Sequence, residues 1–273
     1  MRAADKAVTE EMRCGWWEVW PEYEVGESRD GVRYVRATGP THLKPDEYEP
    51  LVNYPGLFLE FARLADREHL GREPEDVALK WTRARGTLGQ TTVEHDGRVG
   101  ASTRGGVEDS VDAFVGEARA ANSVLNLFQA ATDPDGVDVE TIRELFARYF
   151  SRKYIDFFTD SPHRARSNAL HRVADTVANR VAGTCYPTAY EQADRTWKQG
   201  YDFSNLLGAM WLQMLWLLTA DDVCRCAYPE CNGVVTYKQP VEGNKPRSDK
   251  EFCSVKCRVY NHRLKKRIEA ARH

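Results

Sequence analysis

The sequence predicts a mainly α-helical protein: an α-rich N-terminal domain with a small β element, followed by a C-terminal treble-clef zinc module. Three observations carry this. Apolar residues recur at helical spacing through most of residues 107–219, an Asp30-Gly31 turn is flanked by short β-like runs near the start, and four cysteines cluster close to the C-terminus. The boundary is placed at residue 220, giving an α-rich domain over 1–220 and the zinc module over 221–273.

The β element comes first. Glu18-Val19-Trp20 and Val32-Arg33-Tyr34-Val35 on either side of Asp30-Gly31 predict a hairpin. After Pro55, Leu57, Phe58, Phe61 and Leu64 have helical spacing. Pro74 suits the first turn of another helix, which carries Val77, Ala78 and Trp81 and stops at Gly86. Six glycines between Gly86 and Gly106 predict a long mobile loop, with a short hairpin around Asp96-Gly97. It lacks the Gly-Lys-Ser/Thr ending of a phosphate-binding loop.

Four helices follow. Val111, Phe114, Val115, Ala118, Val124, Leu125 and Phe128 mark the first. An Asp133-Pro134-Asp135-Gly136 turn leads to the second, with Val139, Ile142, Leu145, Phe146, Tyr149 and Phe150. Leu170, Val173, Val177 and Val181 mark a third that ends at Gly183. The fourth, Phe203–Thr219, is the most apolar stretch; it is shorter than the ~20 residues a membrane span needs and reads as a core helix.

The cysteines name a chemistry. Cys226 and Cys231 form C-x4-C, 21 residues intervene, and Cys253 and Cys257 form C-x3-C at the start of a basic helix. Two thiolate pairs, each gripping one edge of a tetrahedron, make a closed structural site for one Zn2+. Cys224, two residues before Cys226, is the alternative first ligand; the more compact C-x4-C loop favours Cys226. Val234, Val235 and Tyr237 predict a short strand, Gln239–Asp249 a loop, and Ser254 a helix cap. At 100° per residue, Cys253, Cys257, Tyr260, Leu264, Ile268 and Ala271 share one face, while Arg258, His262, Lys265 and Arg272 point away. Knuckle, hairpin and ligands at a helix start describe a treble clef, and so small a module depends on its metal for folding energy.

Charge sharpens the reading. The chain nets −3, yet residues 221–273 hold 12 Lys and Arg against 7 Asp and Glu (+5), and residues 1–220 hold 26 against 34 (−8). The tail is therefore the part that suits an anionic partner. Arg258, His262, Arg263, Lys265, Lys266 and Arg267 are the expected contacts to double-stranded DNA, made mainly to phosphates. The competing reading is a protein-interaction or assembly module in which zinc is only structural.

At these residues the chain resembles the CGNR zinc-finger family, whose members join an α-rich ABATE domain to a C-terminal treble clef. The matching stretches are "CRCAYPECNGVV" and "EFCSVKCRVYNHRLKKR", with looser likeness in "YEPLVNYPGLFLEFARLA" and "DVALKWTRARGTLG". The family's Cys-Gly-Asn-Arg stands here as Cys257-Arg258-Val259-Tyr260, with Asn261 and Arg263 displaced, and the Cys253–Cys257 gap is one residue shorter. The resemblance implies a stress-induced transcription regulator that binds DNA, with the four cysteines as zinc ligands and the helix after them on the nucleic acid.

Other classes fit less well. His42, His69, His95, His163, His171, His262 and His273 are scattered, with no H-E-x-x-H pair, and a Gly-x-Ser-x-Gly elbow is absent. Residues 232–252 contain no histidine, which a His-Cys zinc nuclease needs as its general base. The expectation is no enzyme, with a toxin or defence-type hydrolase as the remote alternative. No secretory leader is evident and five of seven cysteines crowd into residues 224–257, which suits a reducing cytoplasm, nucleoid-associated if the chain binds DNA. No membrane partner is expected. The N-terminal domain is read as a dimerising or sensing part for a small-molecule or protein effector. Trp16, Trp17 and Trp20 are read as core packing, and they and the glycine-rich loop are the places for an effector site.

Overall fold

A computed structural model describes residues 15–38, 45–54, 56–65, 73–89, 108–133, 135–191, 195–219, 223–225, 234–236 and 255–270. The protein is mainly α. Its strands are β1 (Trp17–Val19), β2 (Glu22–Glu27), β3 (Arg33–Thr38), β4 (Asp46–Tyr48), β5 (Glu108–Ser110), β6 (Cys185–Glu191), β7 (Trp197–Phe203), β8 (Val223–Arg225) and β9 (Val234–Thr236). Its helices are α1 (Pro50–Asn53), α2 (Leu57–Arg63), α3 (Pro74–Arg85), α4 (Val111–Ala131), α5 (Val139–Phe146), α6 (Arg152–Phe158), α7 (Pro162–Ala182), α8 (Leu206–Thr219) and α9 (Val255–Ala270). The chain divides into two compact units: residues 7–124 with 175–215, and residues 1–6 with 125–174 and 216–273.

In the first unit the hairpin forms around Asp30-Gly31 as expected, with Gly31 at φ 77° and Ser28 N–H donating to Val32 O at 2.8 Å. Its first arm is β2, not Glu18–Trp20. Tyr23 is buried between exposed Glu22 and Glu24; β2 pairs with β3, and β5 joins the far side of β3. Glu18 and Val19 instead belong to β1, which pairs with β4.

Gly86 to Gly89 also depart from expectation. They are a packed segment and not the start of a mobile loop: Thr87 and Leu88 are buried, and Trp17 Nε1 donates to Thr87 O at 3.0 Å. Gly86 (φ 83°) and Gly89 (φ 75°) press against β1; a Cβ on Gly86 would lie 2.5 Å from Glu18 O, and one on Gly89 2.8 Å from the Trp17 indole. Only glycine fits such a conformation at such distances. Leu88 N–H donates to the Asp109 carboxylate, and Leu206 N–H reaches Leu88 O at 3.1 Å. The predicted hairpin around Asp96-Gly97 lies outside the described residues.

The core of this unit is aromatic. Phe61 packs on Trp81 and Phe114 with ring centroids 5.1 and 5.4 Å apart, and Phe58 packs on Trp211 at 5.1 Å. Helix α8 is apolar around its circumference because most of that circumference is buried. Its buried Gln213 is satisfied by backbone, accepting from Phe58 N–H at 3.0 Å and donating to Tyr54 O at 2.7 Å. Arg180 of α7 pairs with Glu117 of α4 at 2.6 Å. Between α7 and α8 the antiparallel β6–β7 hairpin forms, an element the periodicity did not announce.

In the second unit Asp138 caps α5, accepting from Thr141 N–H at 3.0 Å. The turn before it follows the predicted chemistry, with Gly136 N–H donating to Asp133 O at 3.1 Å. Tyr149 and Phe150 lie beyond α5 and not within it. The rings of Phe146, Phe150 and Phe158 form an edge-to-face cluster, with centroids 5.3–6.2 Å apart, that joins α5 to the short α6. Asn168 of α7 closes it by donating to Phe158 O at 3.0 Å.

Candidate metal centre and nucleic-acid interface

The tail is built as a β-hairpin and then a helix. β8 pairs antiparallel with β9, Cys224 standing opposite Val235 and Arg225 opposite Val234. The connection from Arg225 to Val234 carries the first cysteine pair, Cys226 and Cys231, which lie outside the described residues. Cys253, Arg272 and Ala271 also lie outside them. Helix α9 begins at Val255, the residue after Ser254, so the second pair straddles its start, with Cys257 in the first turn.

Cys257 and Asn261 are buried and Leu264 is half-buried, so the packed stripe of α9 follows i, i+4, i+7. Tyr260 was expected on that face. It is 38% exposed instead, because it lies 60° from Cys257 on the side away from Asn261, and the Arg263 guanidinium lies 6.0 Å from its ring centre. Asn261, one turn after Cys257, joins the packed stripe although its side chain is polar.

Arg258, His262, Arg263, Lys266 and Arg267 are all exposed. The side chain of Lys265 lies outside the described residues. Along α9, six Lys and Arg face a single acid, Glu269. Cations toward the helix C-terminus are favoured by the macrodipole, and an anionic ligand such as a thiolate is favoured in the first turn, where Cys257 sits. A helix with one buried thiol-bearing face and an exposed cationic surface can therefore fasten at its start and engage polyanions along its length. Among the described residues no group of three or more His, Cys, Asp or Glu gathers to hold a metal; three of the four predicted ligands fall outside them.

The expected effector sites resolve differently. Trp17 is core, packed on Phe203 with centroids 6.0 Å apart, while Trp16 and Trp20 are half-buried. Most of the glycine-rich stretch lies outside the described residues. An open polar cleft of about 260 Å3 lies instead in the second unit, lined by Asn126, Gln129, Asp138, Thr141, Glu144 and Arg148. No described helix is long and apolar enough to cross a membrane.

Comparison of the chain with protein-family models, with curated proteins and with solved structures finds no match.

Proposed function

We propose that this chain is a zinc-dependent DNA-binding protein, a transcription regulator of the CGNR zinc-finger kind. One structural Zn2+ held by Cys226, Cys231, Cys253 and Cys257 would fasten the β8–β9 hairpin to the start of α9. Arg258, His262, Arg263, Lys265, Lys266 and Arg267 would then meet phosphates of duplex DNA. The N-terminal domain senses a signal or dimerises, and the protein works in the cytoplasm, at the nucleoid. The observation that carries this reading is the layout of α9: a buried Cys257 in its first turn and exposed cations beyond it. The order of hairpin and helix around the two cysteine pairs also supports it.

The test is duplex binding across a salt series, with metal content measured on the same sample. Each phosphate contact contributes roughly −0.9 to the slope of log K against log salt. Changing Arg263, Lys266 and Arg267 together to Ala should weaken binding for every sequence and flatten that slope by about 3. Binding indifferent to salt and to these residues would remove the proposal.

A second reading, a protein-assembly module with purely structural zinc, draws on Val259 and Tyr260, which are 40% and 38% exposed on the same helix. It expects a stoichiometric protein partner, lost in Val259→Asp, and no retained nucleic acid.

A further inference from the structure

Among the described residues, a group of exposed aromatic side chains lies well away in sequence from the cysteines. Tyr149, Tyr154 and Phe157 are 57%, 57% and 61% exposed, three large rings within nine residues. Lys153, Tyr154 and Phe157 share a face of α6 through their i, i+3 and i, i+4 spacing. Tyr154 and Phe157 flank one ring, Phe158, and exposed apolar surface of this kind marks interaction sites.

These rings are held in place. Tyr154 stacks on Phe158 at 6.2 Å with an interplanar angle of 26°, and Phe157 meets the same Phe158 at 5.7 Å. Phe158 belongs to the cluster with Phe146 and Phe150, so the exposed rings stand on a packed base. From α7, Arg164 lies 5.1 Å from the Phe157 ring centre and Arg172 lies 5.4 Å from that of Tyr149. Rings fixed before binding lose little conformational freedom when a flat partner arrives.

The surroundings are cationic. From Arg148 to Arg172 the chain carries six Lys and Arg and two acids, Asp156 and Asp160. Asp156 pairs with Arg143 of α5, and Asp160 pairs with Arg164, so that one acid and one of the six cations offset each other. A surface of flat rings interleaved with guanidinium and ammonium groups complements a polymer that offers negative charge and π faces together. Duplex DNA hides its base faces in the stack; an unpaired strand does not.

We propose that the α6–α7 face, through Tyr149, Lys153, Tyr154, Phe157 and Arg172, binds single-stranded nucleic acid by stacking bases on the exposed rings, with Arg164 holding Phe157 in place. This site is separate from the α9 contacts proposed for duplex DNA and does not depend on them.

The experiment measures binding of the full chain to labelled oligo-dT, oligo-rU and a duplex, each about 20 nucleotides long to exceed a typical site size. Stacking on an aromatic side chain contributes about 1–3 kcal/mol per base, so Tyr154→Ala with Phe157→Ala should weaken strand binding about 10-fold or more. Duplex affinity should stay unchanged, and Phe157→Trp should retain strand affinity. Lys153→Gln should flatten the salt slope for the strand by about 0.7. A preference between dT and rU names the strand as DNA or RNA. The α9 triple-alanine variant should lose duplex binding and keep the ring-dependent part of strand binding, so either proposal can fail alone. Absence of strand binding at low salt, or binding that ignores the two ring substitutions, overturns the inference. So does a concentration-dependent dimer that Phe157→Ala abolishes, which would assign the face to a second copy of the chain.

Discussion

The side-chain amide of Gln213 donates to the backbone carbonyl of Tyr54 at 2.7 Å while its oxygen receives the Phe58 amide at 3.0 Å. One polar side chain in an otherwise apolar helix thus satisfies the corner between α1 and α2, where helix termini leave backbone groups without helical partners. Gln213→Leu strands the Phe58 N–H in the core, and the expected loss is about 2 kcal/mol. Denaturant unfolding should show a lower midpoint with an unchanged slope; a loss below about 0.5 kcal/mol would contradict the assignment.

Gly86 and Gly89 give a second prediction. Gly86 has φ 83° and ψ 175°, a region open essentially to glycine alone, and an added Cβ would meet Glu18 O. Gly86→Ala should cost about 2–3 kcal/mol. Gly89→Ala should also displace the Trp17 indole, giving a change in tryptophan emission that a surface control such as Lys80→Ala does not produce.

Glu18 is buried, with Oε2 lacking a hydrogen-bond partner among the described residues, and it stands opposite Glu47 in the β1–β4 ladder. Burial first, and Glu47 second, push its carboxyl above the ordinary value. The folded state thus prefers the protonated acid. That preference stabilises the protein fully below about pH 4.5 and is lost as pH rises through the raised value. At neutral pH the ionised carboxylate opposes folding. Glu18→Gln should therefore raise the melting temperature at pH 7, and the difference should shrink as both proteins are acidified. A variant less stable than the parent at pH 7 would refute this.

Metal removal tests the tail. Freshly prepared protein is expected to hold one zinc per chain, and Cys257→Ser to hold less than half of that. A strong chelator should reduce helical circular dichroism and abolish duplex binding, because so small a module takes its folding energy from the ion. Full helicity and binding in metal-free protein would count against the treble clef.

Much of the fold was legible where burial is one-sided. Helices α3, α4, α5 and α7 announced themselves by apolar spacing, and Pro74, Gly86 and the Asp133–Gly136 turn marked their ends. Elements with little buried surface were silent. α6 buries only Ile155, and the outer part of β6–β7 exposes Tyr186, Pro187, Ala189 and Trp197, so neither has a periodic pattern to read. The pairing of β1 with β4 escaped because nothing local specifies partners so far along the chain, from Val19 opposite Asp46 to Trp17 opposite Tyr48. In the tail, β9 and α9 were legible, while Tyr260 is exposed where packing was expected and Asn261 is buried. Helical angle places Asn261 on the packed stripe and Tyr260 at its edge, whereas hydrophobicity alone ranks the two the other way.

Leu88 has a consequence for how the polypeptide matures. Its amide is held by Asp109, its carbonyl by Leu206, and the adjacent Thr87 carbonyl by Trp17. A nascent chain emerging from the ribosome cannot close this junction until residue 206 has cleared the exit, although Trp17 left it long before. Strand β1 must wait, partly unsupported, for a helix that follows it far along the chain. Quenching or shift of Trp17 emission should accordingly report a late folding step, one that depends on contacts far apart in sequence.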